Sequence, residues 1–416
     1  MKQFMDKLSQ SRRILMLIEN LSFPMDRRMR QEAIALRNAG YEVTVICPRG
    51  EHQDVSGFEM FEGIRVYRYP LHWQASSGLG YMVEYGWALS CTFALMLWVS
   101  LRHGFDYVHA ANPPDLFFLL YKPFGWFGKK FIFDQHDLCP ETYETKFQRR
   151  DWVWRLLVKL EGYTHRSAHM VLATNESVYQ IAQTRGKVPA EKMAIVRSGP
   201  DLEFFQRTTP QPDLKRGYRY LVAYLGVMSV QDGVDRVVLA AHHLQQLRGT
   251  NDVSFTLIGK GDCWEEVKKL AQSLGLNGAV QFTGRIPDAD VLRYLSTADV
   301  CVAPDPPIPL NHMSTMNKIM EYMACGRPIV SFDLTESRRS AGAAALYVER
   351  DDPKLLAQAI NELLEDPERR SQIGEYGFER VRNELAWSHS ARSLVEAYSR
   401  LEQTKSHPKT AVAAAD

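Results

Sequence analysis

The segment Asn317-Lys318-Ile319-Met320-Glu321-Tyr322-Met323-Ala324-Cys325-Gly326-Arg327-Pro328-Ile329-Val330 sets a cation, Lys318, three residues before a carboxylate, Glu321. Its pattern predicts a helix, a glycine stop and a strand. Ile319, Met320, Met323 and Ala324 form an apolar stripe at helical spacing. Gly326 suits the left-handed residue that ends a helix, Pro328 cannot continue one, and Ile329-Val330 opens a buried strand. An ionised carboxylate only accepts hydrogen bonds, so Glu321 held on a rigid helix can take both hydroxyls of a ribose diol. Lys318 lies about one turn earlier and can share its face. Taken alone, the same residues describe the surface of an ordinary amphipathic helix.

A second group follows another apolar run. In Phe131-Ile132-Phe133-Asp134-Gln135-His136-Asp137 the chain leaves a strand with an imidazole between two carboxylates. Either aspartate can fix the tautomer of His136, and Asp137 is expected to be the outward one; a satisfied structural histidine is the alternative. Asn112-Pro113-Pro114-Asp115 leaves a further strand, with Asp115 expected to cap the next helix or to face a ligand. Arg27 and Arg28 open an early helix, where they either steer an anionic group or stand as plain surface charges. Between Lys146 and Lys159, Trp152, Leu156 and Leu160 share a stripe expected to face the core. Lys146, Arg150 and Trp154 share another that suits an interfacial helix.

Strands and helices alternate almost throughout. The apolar runs are continuous, as expected of mostly parallel sheets covered on both faces. The pattern restarts after the polar Thr208-Thr209-Pro210-Gln211-Pro212-Asp213, so two doubly wound α/β domains are expected in the 416 residues, with a boundary near residues 200–215. Ligands of such sheets bind at the carboxyl ends of the strands. Net charge is +1, but residues 1–200 hold 25 Lys+Arg against 20 Asp+Glu and the remainder 25 against 29. That excess is too small to indicate nucleic acid, though it suits an anionic membrane surface. Six scattered cysteines without a CxxC pair indicate free thiols in a reducing cytoplasm, not a zinc site. The charged first residues, Met1 to Arg13, do not read as a signal peptide. The uncharged run Tyr85 to Leu101 is short for a spanning helix and is expected to be buried or to dip into a membrane surface.

Four segments in order, Thr256-Leu257-Ile258-Gly259-Lys260-Gly261-Asp262, Val280-Gln281-Phe282-Thr283-Gly284-Arg285, Ala298-Asp299-Val300-Cys301-Val302-Ala303-Pro304 and Asn317–Val330, resemble the retaining GT-B glycosyltransferases of the large family 4 type. The resemblance runs from Ile14 to about Leu401. It implies two Rossmann-like, doubly wound domains facing a central cleft: residues 1–205 for the acceptor and 206–385 for a nucleotide sugar. A helix at about 386–402 would pack back on the first domain, leaving a frayed tail at 403–416. It also implies that Glu321 holds the ribose and that Gly226, Asn317 and the helix start at Ser314-Thr315 approach the diphosphate. Ser314 or Thr315 would cap that helix. Lys318 and Arg285 become the candidates for neutralising the leaving group. His136, Asp137 and Lys318 become the candidate catalytic residues, with Arg27, Arg28, Asn112 and Asp115 on the acceptor side and Gly199 as the joint between domains. The chain departs from the family pattern at Met313, where a carboxylate is usual, and at Val227 and Asp232, where cations are usual. The implied activity is metal-independent and cofactor-free. A nucleoside diphosphate sugar would donate to a saccharide or lipid-linked saccharide in cell-surface polysaccharide assembly. The enzyme would be cytoplasmic and peripheral on the membrane, with no nucleic-acid partner. Alternatives are a non-hydrolysing nucleotide-sugar epimerase and a binding protein that has lost turnover.

Overall fold

The structure is a computed structural model that describes residues 12–50, 54–71 and 78–403. The charged start and the tail beyond Gln403 lie outside the described residues. The chain divides into two compact units, one running to Arg197 and resuming at Ser390, the other spanning Ser198–His389.

The sheet of the first unit is ordered β3-β4-β2-β1-β5-β6-β7-β8. Its strands are β1 Arg13–Leu17, β2 Glu42–Pro48, β3 Phe58–Phe61, β4 Ile64–Tyr69, β5 Tyr107–Ala111, β6 Lys130–Gln135, β7 Met170–Ala173 and β8 Met193–Ile195. All pair in parallel except β3 with β4. That hairpin is absent from the sequence expectation. Its turn, Glu62-Gly63, takes φ of +45° and +80°, the left-handed pair that a tight hairpin needs.

Strands β1, β5, β6 and β7 are buried almost throughout, which is why their sequences run apolar without alternation. The connections β4 to β5, β5 to β6 and β6 to β7 all step the same way along the sheet. Right-handed crossovers therefore lay helices Gly78–Arg102, Phe117–Gly125 and Trp152–Ser167 on one face. The last helix, Trp387–Gln403, packs on this unit through Tyr398, whose ring meets Tyr41 and Tyr107 at 5.4 Å each.

Trp152 and Leu156 do not face the core; both are exposed. The buried face of helix Trp152–Ser167 is its polar one, Glu161, Gly162, Thr164 and His165. Gln135 donates to Glu161 at 3.0 Å and meets His165 at 2.8 Å, and Arg185 donates to Glu161 at 2.8 Å. A polar network at the end of β6 thus turns Glu161 and His165 inward and leaves Trp152 and Leu156 outside, while Leu160 still packs against the core.

The second unit carries an all-parallel sheet ordered β11-β10-β9-β12-β13-β14. Its strands are β9 Tyr220–Leu225, β10 Val253–Ile258, β11 Val280–Gly284, β12 Val300–Ala303, β13 Ile329–Phe332 and β14 Ala345–Val348. Gly199, expected as the joint between the domains, lies two residues beyond Arg197, where the first unit breaks off, and a Cβ there would stand 2.0 Å from the Leu385 carbonyl oxygen.

Candidate active site

In the first unit the carboxyl ends of β5 and β6 are stapled together by Asn112. Its side-chain oxygen accepts from the His136 and Asp137 amides at 2.7 and 3.1 Å. Its nitrogen donates to the Asp137 carbonyl at 2.7 Å and to Asp115 at 2.9 Å. Buried and fully engaged, Asn112 shapes the loop and has no group left for an acceptor. Asp115 is also buried, and burial pushes its carboxyl up to about 6, against the hydrogen bond from Asn112. It does not cap the next helix, whose N-cap is Leu116 without a side-chain bond.

Below His136 lies a closed charge network. Asp134 and Glu32 are 0% exposed and Arg28 is 7% exposed. The Arg28 guanidinium reaches Asp134 at 2.7 and 3.2 Å, Glu32 at 3.0 Å and the Val196 carbonyl at 2.6 Å. Arg28 is therefore neither a steering charge nor a surface one, because the core of the unit needs it. Arg27, one residue earlier, is exposed.

His136 Nε2 stands 2.5 Å from Asp134 Oδ2 and 2.9 Å from Arg28 Nε. We assign its proton to the bond with Asp134, since Arg28 Nε already donates to that carboxylate. Burial opposes the charged imidazole, and the charge and hydrogen bond of Asp134 override it and raise the His136 pKa. Burial likewise works against Asp134, while Arg28 and His136 hold it well below the usual carboxylate range. Asp134 is thus the partner that orients His136, and Asp137 is the exposed carboxylate beside it.

His109 completes the network. It is 0% exposed, 2.9 Å from the Tyr398 hydroxyl through Nδ1, and 3.2 Å from Glu32 and 3.6 Å from Asp134 through Nε2. Ligand atoms of Glu32, His109 and Asp134 lie within 4.8 Å of one another, close enough for a metal ion. The Arg28 guanidinium already bonds both carboxylates there and balances their charge together with His109. Burial lowers the His109 pKa, but Asp134 and Glu32 outweigh it and push it up to about 9.

A pKa raised on folding contributes stability that is complete below the ordinary histidine value and is lost as pH rises through the folded one. The chain is therefore expected to lose stability between about pH 6.5 and 9, by up to about 3 kcal/mol. Urea unfolding at stepped pH checks this. A His109→Gln variant should show a flatter profile over that window, and an identical profile would remove His109 as the cause.

The second unit presents its candidate residues at the carboxyl edge of its own sheet. Glycines let the loops there meet backbone to backbone. Gly259, at φ +124°, would place a Cβ 1.9 Å from the Gly226 carbonyl oxygen, and a Cβ on Gly233 would lie 2.3 Å from that of Pro304. Gly226 itself sits at φ +155° and donates its N–H to Ile258.

Over these loops lies helix Asn317–Ala324. Lys318, Ile319, Met320, Tyr322, Met323 and Ala324 are buried, while Asn317 is exposed and Glu321 half-buried. Its outward edge is thus the i, i+4 pair Asn317 and Glu321. Tyr322, unremarked in the sequence, anchors the helix: its hydroxyl accepts from the Leu225 amide at 2.8 Å and donates to the Val302 carbonyl at 3.2 Å. Gly326 takes φ +64° and ends the helix as its sequence predicts.

Two expectations for this helix are corrected. Its N-cap is Met316, without a side-chain bond, whereas Ser314 caps the end of the preceding helix Pro309–Met313 and donates to the Leu310 carbonyl at 2.8 Å. Thr315 stands half-buried between them. Lys318 is no free cation. It donates to Asp305 at 2.7 Å, lies 3.8 Å from Asp232 and covers the Tyr224 ring at 5.0 Å. Burial works against its charge, and Asp305, Tyr224 and Asp232 more than compensate, so Lys318 stays charged.

Asp232, where a cation is usual, serves as this partner and closes a capping box with Ser229. The cations left in the open are Arg285, directly after β11, and Lys260, between the glycines after β10. Both are exposed and unpaired among the described residues. Lys260 is a candidate whose signal, a lysine inside Gly259-Lys260-Gly261, stands in the sequence.

Comparison with known proteins fits this architecture. Residues 25–199 match the glycosyl transferase 4-like domain and residues 219–366 match glycosyl transferases group 1. The alpha-maltose-1-phosphate synthase of Mycolicibacterium smegmatis is 27% identical over 66% of this chain and 74% of its own length. Among solved structures, sucrose-phosphate synthase from Thermosynechococcus elongatus superposes with a TM-score of 0.78 at 20% identity, over 94% of this chain and all of its own. Anabaena Alr3699/HepE in complex with UDP-glucose gives 0.68 at 16% identity, over 93% and 99%. Matched in both halves by glycosyltransferase families, this chain belongs to the group 1, family 4 type of glycosyltransferases with the GT-B fold.

Proposed function

We propose that the protein transfers a hexose-type sugar from a nucleoside diphosphate donor to a hydroxyl of a saccharide or lipid-linked saccharide. The product would belong to cell-surface polysaccharide assembly at the cytoplasmic membrane face. The observation that carries this reading is the helix Asn317–Ala324, buried except for an edge that bears Asn317 and Glu321 and set beside glycine loops that close backbone to backbone at the carboxyl edge of the sheet.

Glu321 accepts from the ribose hydroxyls, and the N-terminus of the same helix, without a side-chain cap, faces the diphosphate. Arg285 and Lys260 supply positive charge to the leaving group without a metal ion, and His136, oriented by Asp134, contacts the sugar or the incoming hydroxyl. Transfer retains the anomeric configuration by front-face attack, with the departing phosphate taking the acceptor proton. A structural neighbour in complex with UDP-glucose supports a nucleotide-sugar donor.

A second reading, nucleotide-sugar binding without turnover, draws support from Met313 and from the pairing of Lys318 with Asp305. Calorimetric titration with UDP and with GDP in metal-free buffer, followed by a turnover assay with sugars of the nucleotide that binds, separates the two. Binding with turnover supports transfer, binding without turnover supports the second reading, and failure to bind these or any other nucleoside diphosphate overturns both.

A further inference from the structure

Helix Gly78–Arg102 carries the same apolar character on its outer face as on its inner one. Ala88, Thr92, Met96 and Val99 are buried against the sheet at spacings of three and four residues. The opposite face, with Met82, Trp87, Leu97, Trp98 and Leu101, is exposed and holds no charge before Arg102. Met82–Arg102 is long and apolar enough to cross a membrane by length and composition, yet only 22% of its apolar window is buried. A helix apolar all round is stable inside a core or against lipid. Spanning is ruled out by topology, since the helix lies along the sheet that its two flanking strands share.

The patch extends beyond this helix. Phe93 meets Phe124 at 6.2 Å, joining it to helix Phe117–Gly125, and the turn that follows exposes Trp126 by 86% and Phe127 by 79%. Phe118 stacks on Tyr163 at 6.3 Å, joining the third helix, whose outer stripe alternates Trp152, Arg155, Leu156, Lys159, Tyr163 and Arg166. On these three helices every exposed charged side chain among the described residues is a cation: Arg102, Lys122, Arg155, Lys159 and Arg166. Glu161 is buried and Glu84 partly so.

We infer that this layer of three helices docks on an anionic phospholipid surface. The outer stripe of Gly78–Arg102 lies in the interface plane, and the cations of the neighbouring helices engage the headgroups. The stripe from Met82 to Arg102 is about 30 Å long, and a basic amphipathic face with tryptophans is the chemistry that enters a headgroup boundary. A second copy of the chain fits worse: a two-fold contact would set the same cationic rim against itself. Lipid docking is independent of the donor site and needs no nucleotide, so its test is separate from that of transfer.

The test is co-sedimentation of the full chain with phosphatidylcholine vesicles, with and without phosphatidylglycerol. The chain is expected to sediment with the anionic vesicles and less so at high salt. Leu101→Glu with Trp126→Glu, two of the most exposed side chains of the patch, should weaken partitioning at least about tenfold. Leu247→Glu, an exposed leucine in the second unit, should leave it unchanged. Circular dichroism confirms that the variants remain folded. The inference fails if the unaltered chain stays in the supernatant with anionic vesicles, or if the double variant partitions like it. It also fails if light scattering shows a lipid-free dimer that the double variant abolishes while vesicles bind neither protein.

Discussion

Arg28→Ala should destabilise the first unit by about 3–5 kcal/mol, the range for removing one partner of a buried ion pair. The size follows from what remains. Asp134 and Glu32 are both fully buried, and Arg28 is the guanidinium that bonds each of them. Without it, two carboxylates face each other with only His109 and His136 to offset them. Urea unfolding followed by far-ultraviolet circular dichroism measures the loss. Arg28→Met combined with Glu32→Gln removes one charge of each sign and should recover part of it. A loss below about 1 kcal/mol would mean that water reaches the carboxylates, contrary to their burial.

Buried ion networks seldom raise stability above what apolar packing would give. Their value here is orientation. Asp134 receives Arg28 on one side and His136 on the other, so the imidazole at the loop is held by a carboxylate that cannot itself turn. Tyr398, 289 residues from His109 in sequence, extends this support to the last helix.

The sequence carries strands well where burial is two-sided. Met170–Ala173 is a continuous apolar run and Ile329–Phe332 is one broken only by the buried Ser331, and the structure gives both those bounds. It carries short polar–apolar edges poorly, so Phe58–Phe61 is legible only through the Glu62-Gly63 turn. Local spacing shows that Arg28 can meet Glu32 four residues on. It cannot show Asp134, 106 residues away, and that partner decides whether Arg28 is free or buried. Lys318 is the same case in the second unit: its reach along the helix is legible, and the contact with Asp305 after β12 is not. The orientation of helix Trp152–Ser167 fails for a related reason. Periodicity assumes that apolar residues face inward, whereas Gln135 and Arg185 pull Glu161 in. Glu321 stays legible throughout because the other residues of the helix are apolar or aromatic except Lys318 and Asn317, and Asn317 shares its outward edge.

Glu321→Ala is expected to lower kcat/KM by about a hundredfold, the loss of roughly 3 kcal/mol from two charge-assisted hydrogen bonds to a diol. Nucleotide affinity, measured by calorimetry, should fall with it. A half-buried helix residue without a ligand role would change stability by about 0.5 kcal/mol and leave kinetics alone, so the two accounts differ by more than experimental error. Lys318 is a poorer probe, because Lys318→Ala strands the buried Asp305 and mixes a folding defect with any loss of activity. Glu321 is not among the buried residues of this helix, which is held by Tyr322 and by its apolar face, and it lies on the half-buried outward edge. An unchanged melting temperature with weakened nucleotide binding therefore assigns the carboxylate to the ligand. Unchanged binding and turnover would move the ribose elsewhere, and Asn317, on the same edge one turn earlier, would be the next residue to test.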